Sequence, residues 1–98
     1  MLYHMVLLRP RAGIDPSELD RLHAAVVGLG ERIPGIAGIS WGPNVSPEGL
    51  GQGYTVGFIV RFADAAARDA YLPHPDHVAV VPLVQAAAES VLVFDLDE

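Results

Sequence analysis

The side chains best suited to acid–base chemistry lie together in residues 71–77, which read Tyr-Leu-Pro-His-Pro-Asp-His. Pro75 favours the first position of a helix, because its φ is fixed and its missing N–H would have no partner there. His74 would then be the N-cap residue, and His77 would lie in the first turn. The N-terminal end of a helix disfavours a charged imidazole. We therefore expect His77 to stay neutral near pH 7, as a general base must.

The composition is that of one compact domain spanning residues 1–98, with 51% hydrophobic residues and no cysteine. Disulfides, thiolate catalysis and cysteine-ligated metal centres are therefore excluded. A net charge of −6 and the lack of any lysine argue against nucleic acid as a partner. No apolar run approaches the ~20 residues that span a bilayer, and no signal peptide is visible. We expect a cytoplasmic protein with no membrane partner.

Hydrophobic spacing and helix-start signals predict four strands and several helices. Asp15 is expected to cap a helix that begins at Pro16, with Glu18 completing a capping box. Pro82 is expected to break or kink the helix that begins at Pro75, because it cannot donate an N–H. The predicted strands cover residues 2–9, 36–42, 54–62 and 91–96. The predicted helices cover residues 16–33 and 65–72, a segment from residue 75, and a last piece over 83–89.

The order β-α-β-β-α-β, with an extra helical segment before the last strand, predicts an α+β fold of the ferredoxin-like type. This fold has one antiparallel sheet with helices on one face. The other face would expose Tyr3, Met5, Leu7 and Ile59, with Gly57 leaving room for a close approach. Because a large apolar patch is unfavourable in water, we expect a homodimer in which the two open sheet faces meet, a dimeric α+β barrel.

His4 lies on the helix-covered face of the first predicted strand. A single histidine among apolar residues is most often a satisfied core residue. It becomes a candidate site residue if Tyr71 or His77 approaches it, because convergent polar groups in an apolar pocket are the usual sign of a binding site. A metal site formed by His74, Asp76 and His77, with His4, is a less favoured alternative. If His74 caps the helix, its side chain would not point in the same direction as that of His77.

Several segments together resemble the stress-responsive A/B barrel domain family, called Dabb. The segments are residues 3–8 (Tyr-His-Met-Val-Leu-Leu), 33–35 (Ile-Pro-Gly), 40–42 (Ser-Trp-Gly), 46–50 (Ser-Pro-Glu-Gly-Leu), 53–55 (Gly-Tyr-Thr), 71–77 and 93–95 (Val-Phe-Asp). The Tyr-x-x-His-Pro-x-His stretch is the specific one. The resemblance implies a dimeric α+β barrel. The family includes plant polyketide cyclases, in which a histidine base and a tyrosine promote an intramolecular aldol condensation without a metal or an organic cofactor.

Position by position, the resemblance assigns the base to His77, the tyrosine to Tyr71 and the first-strand histidine to His4. The substrate-binding side chains that it implies, with His74 counted among the candidates, are Val6, Leu8, Leu22, Val26, Phe58, Val60 and His74. Val56 replaces a histidine of those cyclases, and Val26 replaces an aromatic residue. We therefore expect a pocket less polar than that of the cyclases, and their substrate is not assigned to this protein.

The leading hypothesis is a homodimer with an apolar pocket for a small hydrophobic carbonyl or aromatic compound, using no cofactor and no metal. In its catalytic form, a cyclase-like lyase, His77 removes an acidic proton while Tyr71 and His4 hydrogen-bond the developing oxyanion. The alternative is a non-catalytic ligand-binding or stress-response protein, in which His77 bonds a neighbouring backbone carbonyl and the histidines are structural. A pure oligomerisation module would instead fill the pocket with its own side chains.

Overall fold

The chain folds into one four-stranded antiparallel sheet that is covered by helices on one face. The computed structural model describes residues 1–98. Its elements are β1 (Leu2–Pro10), α1 (Pro16–Arg32), β2 (Ile36–Pro43), β3 (Val56–Phe62), α2 (Ala65–Tyr71), α3 (Pro75–Ala87) and β4 (Ala88–Asp97). The strand order is β2-β3-β1-β4, and all neighbouring strands run antiparallel. The predicted ferredoxin-like α+β fold is confirmed.

The central strand β1 divides its side chains between the two faces of the sheet, because successive residues of a strand point in opposite directions. Leu2, His4, Val6 and Leu8 are buried. The apolar members of this set pack in one core cluster with residues of β3, α1, α2 and α3. Leu7, on the opposite face, is 39% exposed. The helix-covered face of the sheet therefore holds the core.

The first helix begins as predicted, although one detail of its start differs. Asp15 is the N-cap residue and accepts a hydrogen bond from the Ser17 backbone N–H at 2.9 Å, and Pro16 occupies the first helical position. Glu18 does not complete a capping box. Its carboxylate instead accepts two 2.8 Å hydrogen bonds from the Arg11 guanidinium, since a bidentate charged pair competes well with a single bond to a backbone N–H.

The sequence predicted that Pro82 would break or kink the helix, and the break does not occur, because α3 continues from Pro75 to Ala87 with the proline inside it. Pro82 leaves the carbonyl of Val78 without its usual helical donor. Both residues lie on the exposed side of α3, and Val78 is 52% exposed. Water can bond that carbonyl there, while Val80 and Ala87 keep the other side of the helix buried. The packing of α3 before and after Pro82 therefore outweighs the tendency of proline to end a helix.

Three predicted boundaries differ from the structure by two or three residues, and several others differ by one. The third strand begins at Val56 rather than at residue 54, because the Tyr54 backbone N–H closes a turn onto the Gly51 carbonyl at 2.9 Å. The last helix ends at Ala87, and β4 already begins at Ala88. None of the helices is long and apolar enough to cross a membrane.

The uncovered face of the sheet is rich in large apolar side chains. Tyr3, Met5 and Leu7 lie directly opposite Leu96, Phe94 and Leu92 in the β1–β4 pairing. Phe94 is 56% exposed and Leu96 45%. A Cβ on Gly57 would lie 2.8 Å from Leu7 Cδ2 and 3.0 Å from the Val6 carbonyl oxygen. The space at Gly57 is thus taken by this chain's own β1.

The two prolines of α3 should respond to alanine substitution in opposite directions. Pro82→Ala restores a helical N–H and is expected to raise the free energy of unfolding by about 1–2 kcal/mol, since interior proline costs ~3 kcal/mol and proline's restriction of the unfolded chain returns only part of that. Pro75→Ala at the first helical position should lower it by up to about 1 kcal/mol. Urea denaturation of both variants measures the difference. A Pro82→Ala protein less stable than wild type would contradict our account of α3.

Candidate functional site

A cavity of about 320 Å³ lies between the helix-covered face of the sheet and α3, and 10 of its 13 lining residues are hydrophobic. This is near the lower end of the range of small-molecule sites, ~300–1,000 Å³. The side chains from α3 and β4 that line it are Val80, Val81, Val84, Gln85, Val91 and Val93. The polar groups His4, Tyr71 and His77 also line it. The cavity thus combines an apolar wall with a few convergent polar groups.

The structure brings together some of the predicted site residues and not others. His4, Tyr71 and His77 share the cavity, as do Val6, Val26 and Phe58. The remaining predicted apolar residues do not line it but lie in the packed core, and these are Leu8, Leu22 and Val60. Leu8 and Val60 lie on the same sheet face as the lining residues Val6 and Phe58, two positions further along each strand, where the packed core covers them.

His74, which the sequence analysis counted among the substrate-binding candidates, does not line the cavity. It is the N-cap residue of α3, and its Nδ1 accepts a hydrogen bond from the Asp76 backbone N–H at 3.1 Å. The ring is held at the helix end by this bond. No group of three His, Cys, Asp or Glu side chains is arranged to hold a metal ion.

His77 is held by a hydrogen bond that determines which of its nitrogens is free. Its Nδ1 lies 2.9 Å from the Leu72 carbonyl oxygen. A carbonyl can only accept, so in this contact Nδ1 carries the hydrogen and Nε2 of the neutral ring has an available lone pair. The turn between α2 and α3 fixes this geometry, since the His74 N–H bonds the Tyr71 carbonyl at 3.0 Å and the Val78 N–H bonds the His74 carbonyl at 2.9 Å.

Tyr71 is the polar residue between the two imidazoles. Its ring centroid lies 4.2 Å from that of His77 and 5.9 Å from that of His4. The residue is only 2% exposed, and this burial raises the pKa of its hydroxyl to about 12. At neutral pH Tyr71 is therefore a hydrogen-bond donor to the cavity rather than a base.

His4 is bound from behind by a carboxylate. Its Nδ1 lies 2.7 Å from Asp95 Oδ1, and Arg68 Nη1 donates to Asp95 Oδ2 at 2.9 Å. Burial alone would raise the pKa of Asp95, but the hydrogen bonds from His4 and Arg68 outweigh it and hold the pKa below its usual value. Asp95 is thus ionised at neutral pH and satisfies the buried imidazole.

The sequence analysis did not find Asp95 and Arg68 as site residues. Asp95 lies directly opposite His4 in the β1–β4 pairing, 91 positions away along the chain. Arg68 lies three residues before Tyr71 on α2, a spacing that puts both on one helix face. The sequence signal was the Asp at the end of the Val-Phe-Asp segment, but its partner depends on strand register.

The fold and the cavity define a class of protein: a ferredoxin-like α+β domain with a mainly apolar pocket that is lined by two histidines and a tyrosine, among others. A family model for the stress-responsive A/B barrel domain, Dabb, matches residues 2–98. The chain belongs to the Dabb family, as its sequence segments predicted.

Named relatives agree with this assignment. The chain is 32% identical over 92 residues to a stress-response A/B barrel domain-containing protein of Arabidopsis thaliana, covering 94% of this chain and 84% of that protein. It is 26% identical over 92 residues to olivetolic acid cyclase of Cannabis sativa, covering 94% and 91%. It is also similar to the crystal structure of a dimeric ferredoxin-like protein of unknown function from a Jannaschia species, with a TM-score of 0.84, 34% identity and coverage of 99% and 98%.

The raised pKa of Tyr71 predicts a specific loss of stability in alkali. Because the unfolded phenol ionises near 10 and the folded one at about 12, the folded state retains a proton that the unfolded chain loses. The free energy of unfolding should therefore decrease as pH rises from 10 to 12, by up to about 3 kcal/mol. Denaturant titrations across this range should show a smaller decrease for Tyr71→Phe. A Tyr3→Phe control retains Tyr71 and should behave as wild type, and identical slopes in all three proteins would contradict the prediction.

Proposed function

We propose that this Dabb protein is a homodimer that binds a small, partly hydrophobic carbonyl compound in the cavity and catalyses its deprotonation without a cofactor. Under this proposal the reaction is a cyclase-like aldol condensation or a related lyase step. His77 is the base, and Tyr71 binds the oxygen on which negative charge develops. The similarity to olivetolic acid cyclase supports the reaction class. It does not identify the substrate.

The observation that carries the proposal is the placement of a free imidazole nitrogen and a buried phenol in one apolar cavity. His77 Nε2 and the Tyr71 hydroxyl have no hydrogen-bond partner in the chain, and no fully buried side-chain nitrogen or oxygen lacks one. Both atoms must therefore border open space, and both residues line the cavity. A base and a hydrogen-bond donor beside one pocket are what proton abstraction next to a carbonyl requires.

The proposed reaction involves only the substrate and the side chains of His77 and Tyr71. His77 Nε2 takes a proton from a C–H between two carbonyl groups, and the C–H electron pair moves to a carbonyl oxygen, which gives an enolate. Tyr71 donates a hydrogen bond to this oxygen. The enolate carbon then attacks a second carbonyl carbon of the same molecule, forming the C–C bond, and the resulting alkoxide takes the proton back from the His77 imidazolium. The low polarity of the surrounding valines strengthens each of these electrostatic contacts.

The homodimer is proposed from the uncovered sheet face. Its large apolar side chains, among them Phe94 and Leu96, would otherwise remain in water. A patch of this kind on a soluble protein is typical of an interface. The name of the similar Jannaschia protein describes that protein as dimeric, which supports the same assembly here.

A non-catalytic ligand-binding protein is the second candidate, and one observation favours it. The His77–Leu72 hydrogen bond that frees Nε2 also satisfies a carbonyl at the end of α2, as a structural histidine would. The two candidates differ in whether a bound carbonyl compound reacts. They are therefore separated by comparing ligand stabilisation with turnover in the same variants.

Replacement of the proposed base should abolish turnover selectively. His77→Ala is expected to lower kcat for a β-polyketo compound by about 10²–10⁴-fold, the usual contribution of a positioned base. His23→Ala is the matched control, because His23 stacks on Trp41 outside the cavity and its loss should leave turnover near wild type. Equal rates for wild type and His77→Ala would exclude the base role. No turnover by wild type, with ligand-induced thermal stabilisation preserved in His77→Gln, would favour the ligand-binding candidate.

The proposed interface should be disrupted by one buried charge. Phe94→Glu introduces a carboxylate at the centre of the apolar face and should convert the dimer to a monomer in light-scattering measurements after size exclusion. Val27→Glu is the control, since Val27 is 41% exposed on α1, away from that face, and should leave the assembly unchanged. A wild-type protein that is monomeric at micromolar concentration would refute the homodimer.

A further inference from the structure

We propose that Asp95 is a positioning residue that fixes the tautomer of His4, so that the cavity selects ligands with a hydrogen-bond donor facing His4. This inference rests on the proposed ligand site and deepens it by naming a chemical feature of the ligand. The ligand class is a carbonyl compound that also carries an enol or phenol O–H.

The first step is the hydrogen bond between the two side chains. Asp95 is ionised and can only accept, so the 2.7 Å contact requires the hydrogen to lie on His4 Nδ1. In the neutral ring the lone pair is then on Nε2. His4 is 6% exposed, and a flip of this buried ring would break its hydrogen bond to Asp95.

The second step is the direction of the free nitrogen. His4 Nε2 has no partner in the chain, yet no fully buried side-chain nitrogen or oxygen is without one. The atom therefore borders open space, and the ring lines the cavity. Nδ1 and Nε2 lie at opposite ends of the imidazole, so the bond to Asp95 on one side directs the acceptor towards the ligand on the other.

The third step concerns what holds Asp95. Arg68 donates to Oδ2 while His4 donates to Oδ1, so both carboxylate oxygens are fixed from different elements. Arg68 also bonds Asp69 at 3.0 Å, which anchors the guanidinium on α2. The groups that face His4 are Asp95 from β4, backed by Arg68, and Tyr71 from α2. The side chains that hold the His4 ring directly or through one contact, Asp95 and Arg68, are each 24% exposed.

Apart from the Gln85 amide, which can donate or accept, the cavity offers the ligand two acceptors and one donor. The acceptors are Nε2 of His4 and Nε2 of His77, and the donor is the Tyr71 hydroxyl. A carbonyl oxygen matches Tyr71, an acidic C–H matches His77, and an O–H matches His4. In an apolar cavity, an analogue that leaves one of these protein groups unpaired binds more weakly, because that group then bears its full desolvation penalty of ~1–3 kcal/mol. His4 in this state accepts a hydrogen bond from the ligand, whereas the sequence analysis expected it to donate one to an oxyanion.

The tautomer is measured directly by long-range ¹H–¹⁵N correlation spectra of the full-length protein with ¹⁵N-labelled histidine at neutral pH. We expect the Nδ1–H pattern for His4 in wild type and an altered pattern in Asp95→Leu, with His23 unchanged in both. An Nε2–H pattern for His4 in wild type overturns the proposal, and so does an unaltered pattern in Asp95→Leu. The wild-type spectrum alone is decisive if the variant does not fold.

The ligand preference is measured with 3-hydroxyacetophenone and 3-methoxyacetophenone, which share a carbonyl and differ in one O–H donor. Wild type should bind the phenol at least about tenfold more tightly by calorimetry, which corresponds to ~1.4 kcal/mol. His4→Phe, which retains the ring but lacks the acceptor, should reduce the ratio towards one. Equal affinity of wild type for both compounds, or no binding of either, overturns the ligand assignment. A failure of the proposed catalytic function can be distinguished from a failure of this inference. It would appear as turnover that does not depend on His77, while the spectra still show the Nδ1–H tautomer of His4.

Discussion

The burial of His4 in the middle of the central strand is the constraint around which the polar part of this fold is organised. A buried imidazole without partners would cost several kcal/mol, so its nitrogens must be bonded or must face a cavity. Asp95, directly across the β1–β4 pairing, supplies one partner. This partly buried carboxylate also accepts a hydrogen bond from Arg68 on α2. This series of contacts links β1 and β4 to α2, which carries Tyr71.

The cavity beside these polar groups exists because of the residue types that line it. Its apolar wall is built mainly of valines from β1, α1, α3 and β4. Valine is short and has one strongly preferred rotamer in a helix, so it cannot extend into the space as leucine or methionine would. The nearby large side chains Phe62 and Tyr71 are committed to the packed core, with ring centroids 5.1 Å apart. The pocket is therefore not filled by the protein's own side chains, as a pure oligomerisation module would require.

The sequence predicted those parts of the molecule that depend on short-range signals. The caps Asp15 and His74 and the alternation of β1 were all assigned correctly, because each depends on residues only a few positions apart. The approach of His4, Tyr71 and His77 was stated only as a condition and as an implication of the family resemblance, since nothing within a few positions of each residue determines it. The Arg68–Asp95–His4 contacts could not be predicted, since they depend on strand register and on where α2 lies. Pro82 shows the converse: a strong local signal was overridden by the burial of neighbours on the same helix.

β4 connects the site to the uncovered face of the sheet. It is an edge strand, bonded along one side only to β1, and such strands are the least constrained part of a sheet. Alternate residues serve the two faces, because Val91, Val93 and Asp95 face the cavity side while Leu92 and Phe94 face the opposite side. In the proposed homodimer, covering the apolar side of β4 would restrict the motion of the strand that holds Asp95 and two valines of the cavity wall. Assembly and the geometry at His4 would then be coupled through one strand.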